Sequence, residues 1–304
     1  MAKINRRTVS LIGKNMKIIN ACNEILSVYD EGCFDPEKWK IYMDRCVPGA
    51  KELCLNDMQD CINAGFSWEQ DFMPVLNAVF EEKQKRKKAI DVFRQVTEHL
   101  DEKILNVFHR SVEADVILYL GLCNGAGWVT EVDGRTTILL GIEKIIELDW
   151  CDKDMMTALI IHELGHVYQA KYGVFRIHTD DPEERFLWQL FTEGVAVVFE
   201  QEIVGDPEYF HQDVKGWKKW CKEHESLILT SFAEDLKTMT QENQRYFGDW
   251  VSFEGYGDTG YYLGTKFVRY MLKDADFDRI IGYEIGDVKE GFDGFLRSNS
   301  ELAL

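Results

Sequence analysis

The sequence predicts a mainly helical α+β fold in which one small sheet packs on a helix that carries the chemistry. Three observations point to it. Apolar residues recur at steps of three and four from Met16 to about Phe108, short apolar runs around an Asp-Gly pair break that rhythm between Ala114 and Leu140, and helical spacing then resumes to the end. Only five prolines interrupt the 304 residues, which favours long helices.

Taken in order, the clearest helical spacing is Ile90, Phe93, Val96, Leu100, Ile104 and Phe108, and the basic run Lys83 to Lys88 reads as a solvated helix face. The run Val116 to Leu120, stopped by Gly121, reads as a buried strand. Trp128 to Thr130 and Thr136 to Leu140 read as two more, joined by a tight hairpin turn at Asp133-Gly134. Helices are then expected over Asp152 to Tyr172, Pro182 to about Val204, a polar stretch from Asp206 to Gln244, and Tyr261 to Lys273. A glycine-rich loop, Gly255 to Gly260, leads into the last of these. The expected organisation is a helical region over residues 1–112, a core over 113–204 holding the sheet and two motif helices, and a helical region over 205–304 that completes the cleft.

Composition narrows the class of function. With 53 acidic against 35 basic residues, the net charge of −18 repels a phosphate backbone, so nucleic acid is not an expected partner. The start Met1-Ala2-Lys3-Ile4-Asn5-Arg6-Arg7 is charged and leads into no apolar leader, and no apolar run is long enough to span a bilayer, which predicts a cytoplasmic protein with no membrane partner. The eight cysteines, at 22, 33, 46, 54, 61, 123, 151 and 221, form no Cys-x-x-Cys pair and are expected as reduced thiols that mostly fill helical cores.

The chemistry is concentrated at residues 162–166, His-Glu-Leu-Gly-His. Two histidines four apart project from one helical face, so both imidazoles can reach a single ion at about 2.0–2.1 Å. Glu163, turned about 100° from that line, is placed to serve as general base for an attacking water. Asp152 or Asp154 can cap this helix and Gly173 can stop it, while the mid-helix Gly165 implies a close approach by substrate or neighbouring backbone. A catalytic zinc needs a third protein ligand and an open position. Glu193 fits that need: Asp181-Pro182-Glu183-Glu184 starts a helix, and from Phe186 to Phe199 only Gln189, Thr192 and Glu193 carry side chains with hydrogen-bond acceptors. A carboxylate buried there is costly without a partner such as a metal, and Glu200 and Glu202 are the lesser candidates.

Three islands together resemble the gluzincin metallopeptidases, the clan of thermolysin and aminopeptidase N, and most nearly a family of predicted Zn-dependent proteases within it. They are Ile161-His162-Glu163-Leu164-Gly165-His166, then Thr192-Glu193-Gly194-Val195-Ala196, then Gly260-Tyr261-Tyr262-Leu263-Gly264. The resemblance implies a zincin-like catalytic core with an edge strand along the cleft, Zn2+ held by His162, His166 and Glu193, Glu163 as the base, and Tyr261 as the donor that steadies the tetrahedral intermediate. It covers the chain from about Leu120 to Lys273. One departure is plain: where thermolysin-like members carry an aspartate four residues after the glutamate ligand, this chain has Val197, so the partner that orients a ligand histidine is unassigned.

The expected function is therefore hydrolysis of a peptide or protein substrate by a zinc metallopeptidase. Two alternatives compete. A silent zinc- or peptide-binding regulatory module would have no use for Glu163. A small-substrate zinc amide hydrolase of the deformylase kind is echoed by Glu31-Gly32-Cys33, although far upstream of the motif helix.

Overall fold

In the computed structural model, which describes residues 16–248 and 250–301, the chain is mainly helical with a small mixed sheet, as the sequence predicts. The charged segment Met1 to Arg7 lies outside the described residues. Two compact units are present, Met1–Glu163 and Leu164–Leu304, and the boundary falls inside a single helix. No helix among the described residues is long and apolar enough to cross a membrane.

The first unit begins with β1 (Met16–Asn20), a 3-10 stretch (Ala21–Val28) and the two-residue strands β2 (Tyr29–Asp30) and β3 (Cys33–Phe34). Helices α1 (Pro36–Cys46), α2 (Lys51–Asn63), α3 (Met73–Glu81), α4 (Lys83–Thr97) and α5 (Leu100–Phe108) follow. Then come β4 (Ala114–Tyr119), β5 (Trp128–Val132), β6 (Arg135–Gly141), α6 (Ile142–Glu147) and the first part of α7 (Lys153–Tyr172). The sheet order is β1-β4-β6-β5, with β5 antiparallel at one edge and the other pairs parallel.

The central strands form where the sequence is continuously apolar. Every residue of β4 is buried, as a strand covered on both faces requires. Its one charge, Asp115, is met by Arg135 of β6, whose Nε lies 3.1 Å from both carboxylate oxygens. At the other end of β4, the indole of Trp39 donates to the Leu120 carbonyl (2.9 Å) and the Leu120 amide donates to the Tyr42 hydroxyl oxygen (3.1 Å), which fastens α1 to the sheet. Asp133 and Gly134 adopt φ of 50° and 74°, so the β5–β6 turn is the two-residue left-handed type expected from the Asp-Gly pair.

Part of the first unit departs from expectation. The stretch from Met16 was expected to be helical, yet it opens with a strand, because β1 pairs in parallel with β4 from Met16↔Ala114 to Asn20↔Leu118. That partner is far downstream, and local apolar spacing carries no trace of it. The rhythm from Ile90 to Phe108 is also divided: His99 takes a left-handed φ of 68°, ending α4 and letting α5 start at Leu100. The basic run does form a helix face, and Arg86 reaches back to the Val79 and Phe80 carbonyls that α3 leaves open at its C-terminus. All eight cysteines are thiols, none of them in a disulfide. Cys22 and Cys54 are buried in the core as expected, whereas Cys33 is exposed on β3.

The second unit contains the rest of α7, then α8 (Pro182–Val204), α9 (Trp217–Glu223), α10 (Glu225–Asp235), α11 (Thr259–Met271), α12 (Phe277–Ile280) and α13 (Ile285–Glu301). The polar stretch 206–244, expected as helix, is divided into turns plus α9 and α10. Lys215 and Gly216 are left-handed (φ 55° and 84°), and Pro207 follows the Gly205 cap that closes α8.

Helix α8 is the axis of this unit. Asp181 caps it by accepting from the Glu183 amide (2.9 Å), Pro182 sits in its first turn, and Phe186 to Phe191 and Gly194 to Gln201 are buried apart from the half-buried Gln189. A helix covered all round must be packed from several sides, and α11 and α13 pack on it. The α8–α11 crossing has no side chain between the backbones: a Cβ on Gly194 would fall 2.2 Å from the Gly264 carbonyl oxygen, and one on Gly264 2.3 Å from that of Leu190. On another side, a Cβ on Gly165 of α7 would lie 3.0 Å from Ala196 Cα. The mid-helix glycine beside the motif histidines is therefore explained by a neighbouring backbone.

Gly194→Ala is expected to destabilise the protein by about 2–3 kcal/mol, since overpacking outweighs the roughly 1 kcal/mol that alanine gains in a helix. Gly286→Ala, at an exposed position of α13 with nothing within 4 Å, is expected to be neutral or slightly stabilising. Chemical denaturation of both variants checks the pair.

Candidate metal centre

The motif helix α7 starts where Asp152 accepts from the Met155 amide (2.9 Å), which selects Asp152 as the cap. At its far end Gly173 is pressed against the Ile281 carbonyl, where a Cβ would come to 2.1 Å, and Val174 donates to that same oxygen (2.8 Å). In between, His162, Glu163 and His166 are all buried. Both histidines belong to α7, four residues apart.

Contact between Gly165 and Ala196 brings the His166 turn of α7 against the middle of α8. There His166 Nε2 lies 3.4 Å from Glu193 Oε2, with both side chains largely shielded from solvent. That separation can be tested against coordination chemistry: two donors bound to one tetrahedral zinc at about 2.0–2.1 Å stand about 3.3–3.4 Å apart. The donor atoms of His162, His166 and Glu193 all lie within 4.8 Å of one another, so these three residues could hold a metal ion. The donor set of two imidazoles and one carboxylate suits zinc.

Glu163 is confined by backbone. A Cβ on Gly127, just before β5, would fall 2.8 Å from Glu163 Oε1 and 3.0 Å from Leu159 Cδ1, so any side chain at 127 would have to displace the carboxylate. The neighbouring edge strand is β5; of the two strands available from sequence, β6 is internal.

The other candidate carboxylates are engaged elsewhere. Glu202 pairs with Arg269 (2.9 Å). Glu200 is fully buried, and both its oxygens meet His211 Nδ1, at 3.2 and 3.0 Å. Such a pair removes the cost of burying a lone carboxylate. His162, Glu200 and His211 form a second group whose donor atoms lie within 4.8 Å of one another. From sequence Glu200 is a lesser candidate, a glutamate at the end of an apolar helix that nothing local ties to His211 in the following turn. Neither donor group contains a cysteine, and Cys33 sits exposed on β3.

Tyr261 is the third residue of α11, half-buried, with its ring edge-on to Phe247 at 6.1 Å. Tyr262, the next residue, is spent in the core: its hydroxyl donates to Glu225 (2.7 Å), its ring stacks on Phe210, and burial pushes its phenol well above the usual range. His224 lies flat on Trp220 at 4.4 Å, with Nδ1 2.9 Å from the Trp220 carbonyl oxygen.

No family model matches this chain, and comparison with curated proteins and with solved structures finds no match.

Zinc titration of variants separates the two donor groups. Glu193→Ala and His166→Ala are both expected to lose more affinity than the roughly 10–100-fold typical of removing an outer-shell partner, with Glu200→Gln staying within that range. The reverse order, with Glu193→Ala keeping full affinity and Glu200→Gln losing it, would place the ion at the other group.

Proposed function

We propose that this protein is a zinc-dependent peptidase of the gluzincin kind, with a zincin-like core in which His162, His166 and Glu193 hold Zn2+. The observation that carries the reading is the triplet of donors within 4.8 Å, two buried histidines and the half-buried Glu193, with His166 and Glu193 at the separation of two ligands on one ion. Bound zinc supplies Lewis-acid activation of water and of the scissile carbonyl.

The chain's own residues account for the rest of the cycle. Glu163 takes a proton from the attacking water as the new C–O bond forms, and returns it to the amide nitrogen as the C–N bond breaks, so no proton is left over. Gly127 holds backbone against that carboxylate and restricts the positions it can sample. Tyr261 donates a hydrogen bond to the carbonyl oxygen as it becomes negative. An extended peptide suits the outer edge of β5, the end strand of the sheet among the described residues, where a further strand can add. His211 has a specific claim to the same donor role: its Nδ1 side is held by buried Glu200, and it shares a donor group with His162.

A peptide library digested with and without chelator, read by mass spectrometry, tests the activity. Glu163→Gln is expected to bind zinc like the wild type and to lose turnover, and normal hydrolysis by that variant would remove Glu163 from the role of base. Tyr261→Phe is expected to lower kcat by about 10²–10³ with zinc content unchanged, the usual effect of losing one oxyanion donor. Full activity in Tyr261→Phe beside an inactive, zinc-replete His211→Gln would transfer the donor role to His211.

A further inference from the structure

Glu143 is a buried carboxylate that the proposed chemistry does not use, and it lies within the first unit together with everything it touches. It occupies the first turn of α6, directly after β6, and is 1% exposed. Its Oε2 accepts from the Gly121 amide (2.9 Å) and its Oε1 from the Cys123 amide (3.1 Å). A Cβ on Gly121 would fall 2.6 Å from Glu143 Oε1, and one on Gly141 3.0 Å from it, so a side chain at 121 or 141 would press on the carboxylate where it now sits.

The loop it grips, 121–127, runs from β4 to β5. The Leu122 amide donates to Asn124 Oδ1 (2.9 Å), whose amide group in turn donates to the Cys54 carbonyl (3.0 Å) and to Asp57 (2.8 Å). Gly141 donates to the Ala126 carbonyl (3.1 Å). The loop ends at Gly127, whose backbone lies against the Glu163 carboxylate. From its first residues to its last, the loop therefore links two buried carboxylates.

We propose that Glu143 is a positioning residue for Glu163, holding loop 121–127 by two amides and thereby fixing the Gly127 backbone that confines the Glu163 side chain. The proposal rests on Glu163 being the base.

An ionisable group in this place makes the grip dependent on pH. Burial is the main cause that raises the Glu143 carboxyl from 4.5 to about 7, against the opposing pull of the amides and of Lys144. The groups facing it are kept neutral by burial: the Cys22 thiol and the Tyr29, Tyr42 and Tyr119 phenols are pushed up beyond their usual range, and Cys54 to about 12. Asp57, next to Asn124, is also raised by burial. Arg86 of α4 opposes the upward shift of Cys22 and Tyr29, and the one ionisable side chain of α3, Glu81, is exposed. Ionised, Glu143 offers both oxygens to the loop amides; protonated, one becomes a hydroxyl and a poorer acceptor. The grip thus tightens as pH rises through about 7. Folding stability runs the other way: a carboxyl raised in the fold contributes most below its unfolded pKa, and that contribution is lost as pH climbs toward about 7.

The test follows the full-length chain by amide NMR between pH 5.5 and 8.5, with 13C-labelled Glu163 carboxyl as a second reporter. Gly121, Cys123 and Gly127 amides and the Glu163 carboxyl are expected to shift together with a midpoint near 7, and E143Q to abolish that step. E143Q is also expected to lower kcat about tenfold at pH 8, leaving KM and zinc content unchanged. Movement of Gly121 and Cys123 without Gly127 and Glu163 would reduce Glu143 to a structural acid and overturn the proposal, as would the absence of any step near 7. The wild-type titration needs neither a folded variant nor hydrolysis, so failure of the peptidase reading registers separately, as absent turnover with the NMR step intact.

Discussion

Two helix crossings made backbone against backbone set the geometry of the second unit. Gly194 meets the Gly264 carbonyl and Gly165 meets Ala196, and in neither place is there room for a larger side chain on the glycine. Helix α8 is therefore gripped on two sides within one turn, and packed interiors of this density do not slide or rotate freely. Glu193 directly precedes one gripped residue and His166 directly follows the other, so their 3.4 Å separation is a consequence of the crossings rather than of flexible side chains finding each other. Burial then makes the pair demanding. A carboxylate and an imidazole this close and this shielded are well served by a shared proton or a cation, and the zinc proposed above would supply the cation, with the second histidine four residues away on α7.

In the first unit a different device serves the proposed base. The sheet is held by β4, buried along its whole length, and the loop leaving β4 returns to the antiparallel edge strand β5 by way of Gly127. Because Gly127 has no side chain, main chain rather than a rotamer forms the wall beside Glu163. The loop carries left-handed residues at Cys123 and Gly125 (φ 60° and 140°), a shape kept by the Glu143 and Asn124 hydrogen bonds on its inner side. Glycines at 121, 127 and 141 thus have the same meaning as those on α8 and α11: each marks a place where backbone, and not a side chain, makes the contact.

Much of this was legible in the sequence, because the informative features were local. The Asp133-Gly134 turn, the continuous apolar run of β4, the Asp181-Pro182 start of α8 and the His-x-x-x-His spacing on α7 each depend on a few adjacent residues, and the structure has them where sequence reasoning put them. Gly165 could be flagged as a close approach, but its partner, Ala196, could not be named. What escaped was non-local. β1 is a strand only because β4 is there to pair with it, and the left-handed break at His99 is invisible in a spacing pattern that continues on both sides of it. The Glu200–His211 pair and the Glu143 cradle escaped for the same reason, since a buried carboxylate is recognised by what surrounds it, and those surroundings are assembled by the fold.

Zinc K-edge X-ray absorption on the wild-type chain loaded with one equivalent of zinc tests the central claim most directly. The account predicts a first shell of nitrogen and oxygen only, at about 2.0–2.1 Å, with the outer-shell scattering of two imidazoles. A sulfur shell at about 2.3 Å, which any of the eight thiols would produce as a ligand, or a shell containing a single imidazole, would contradict it.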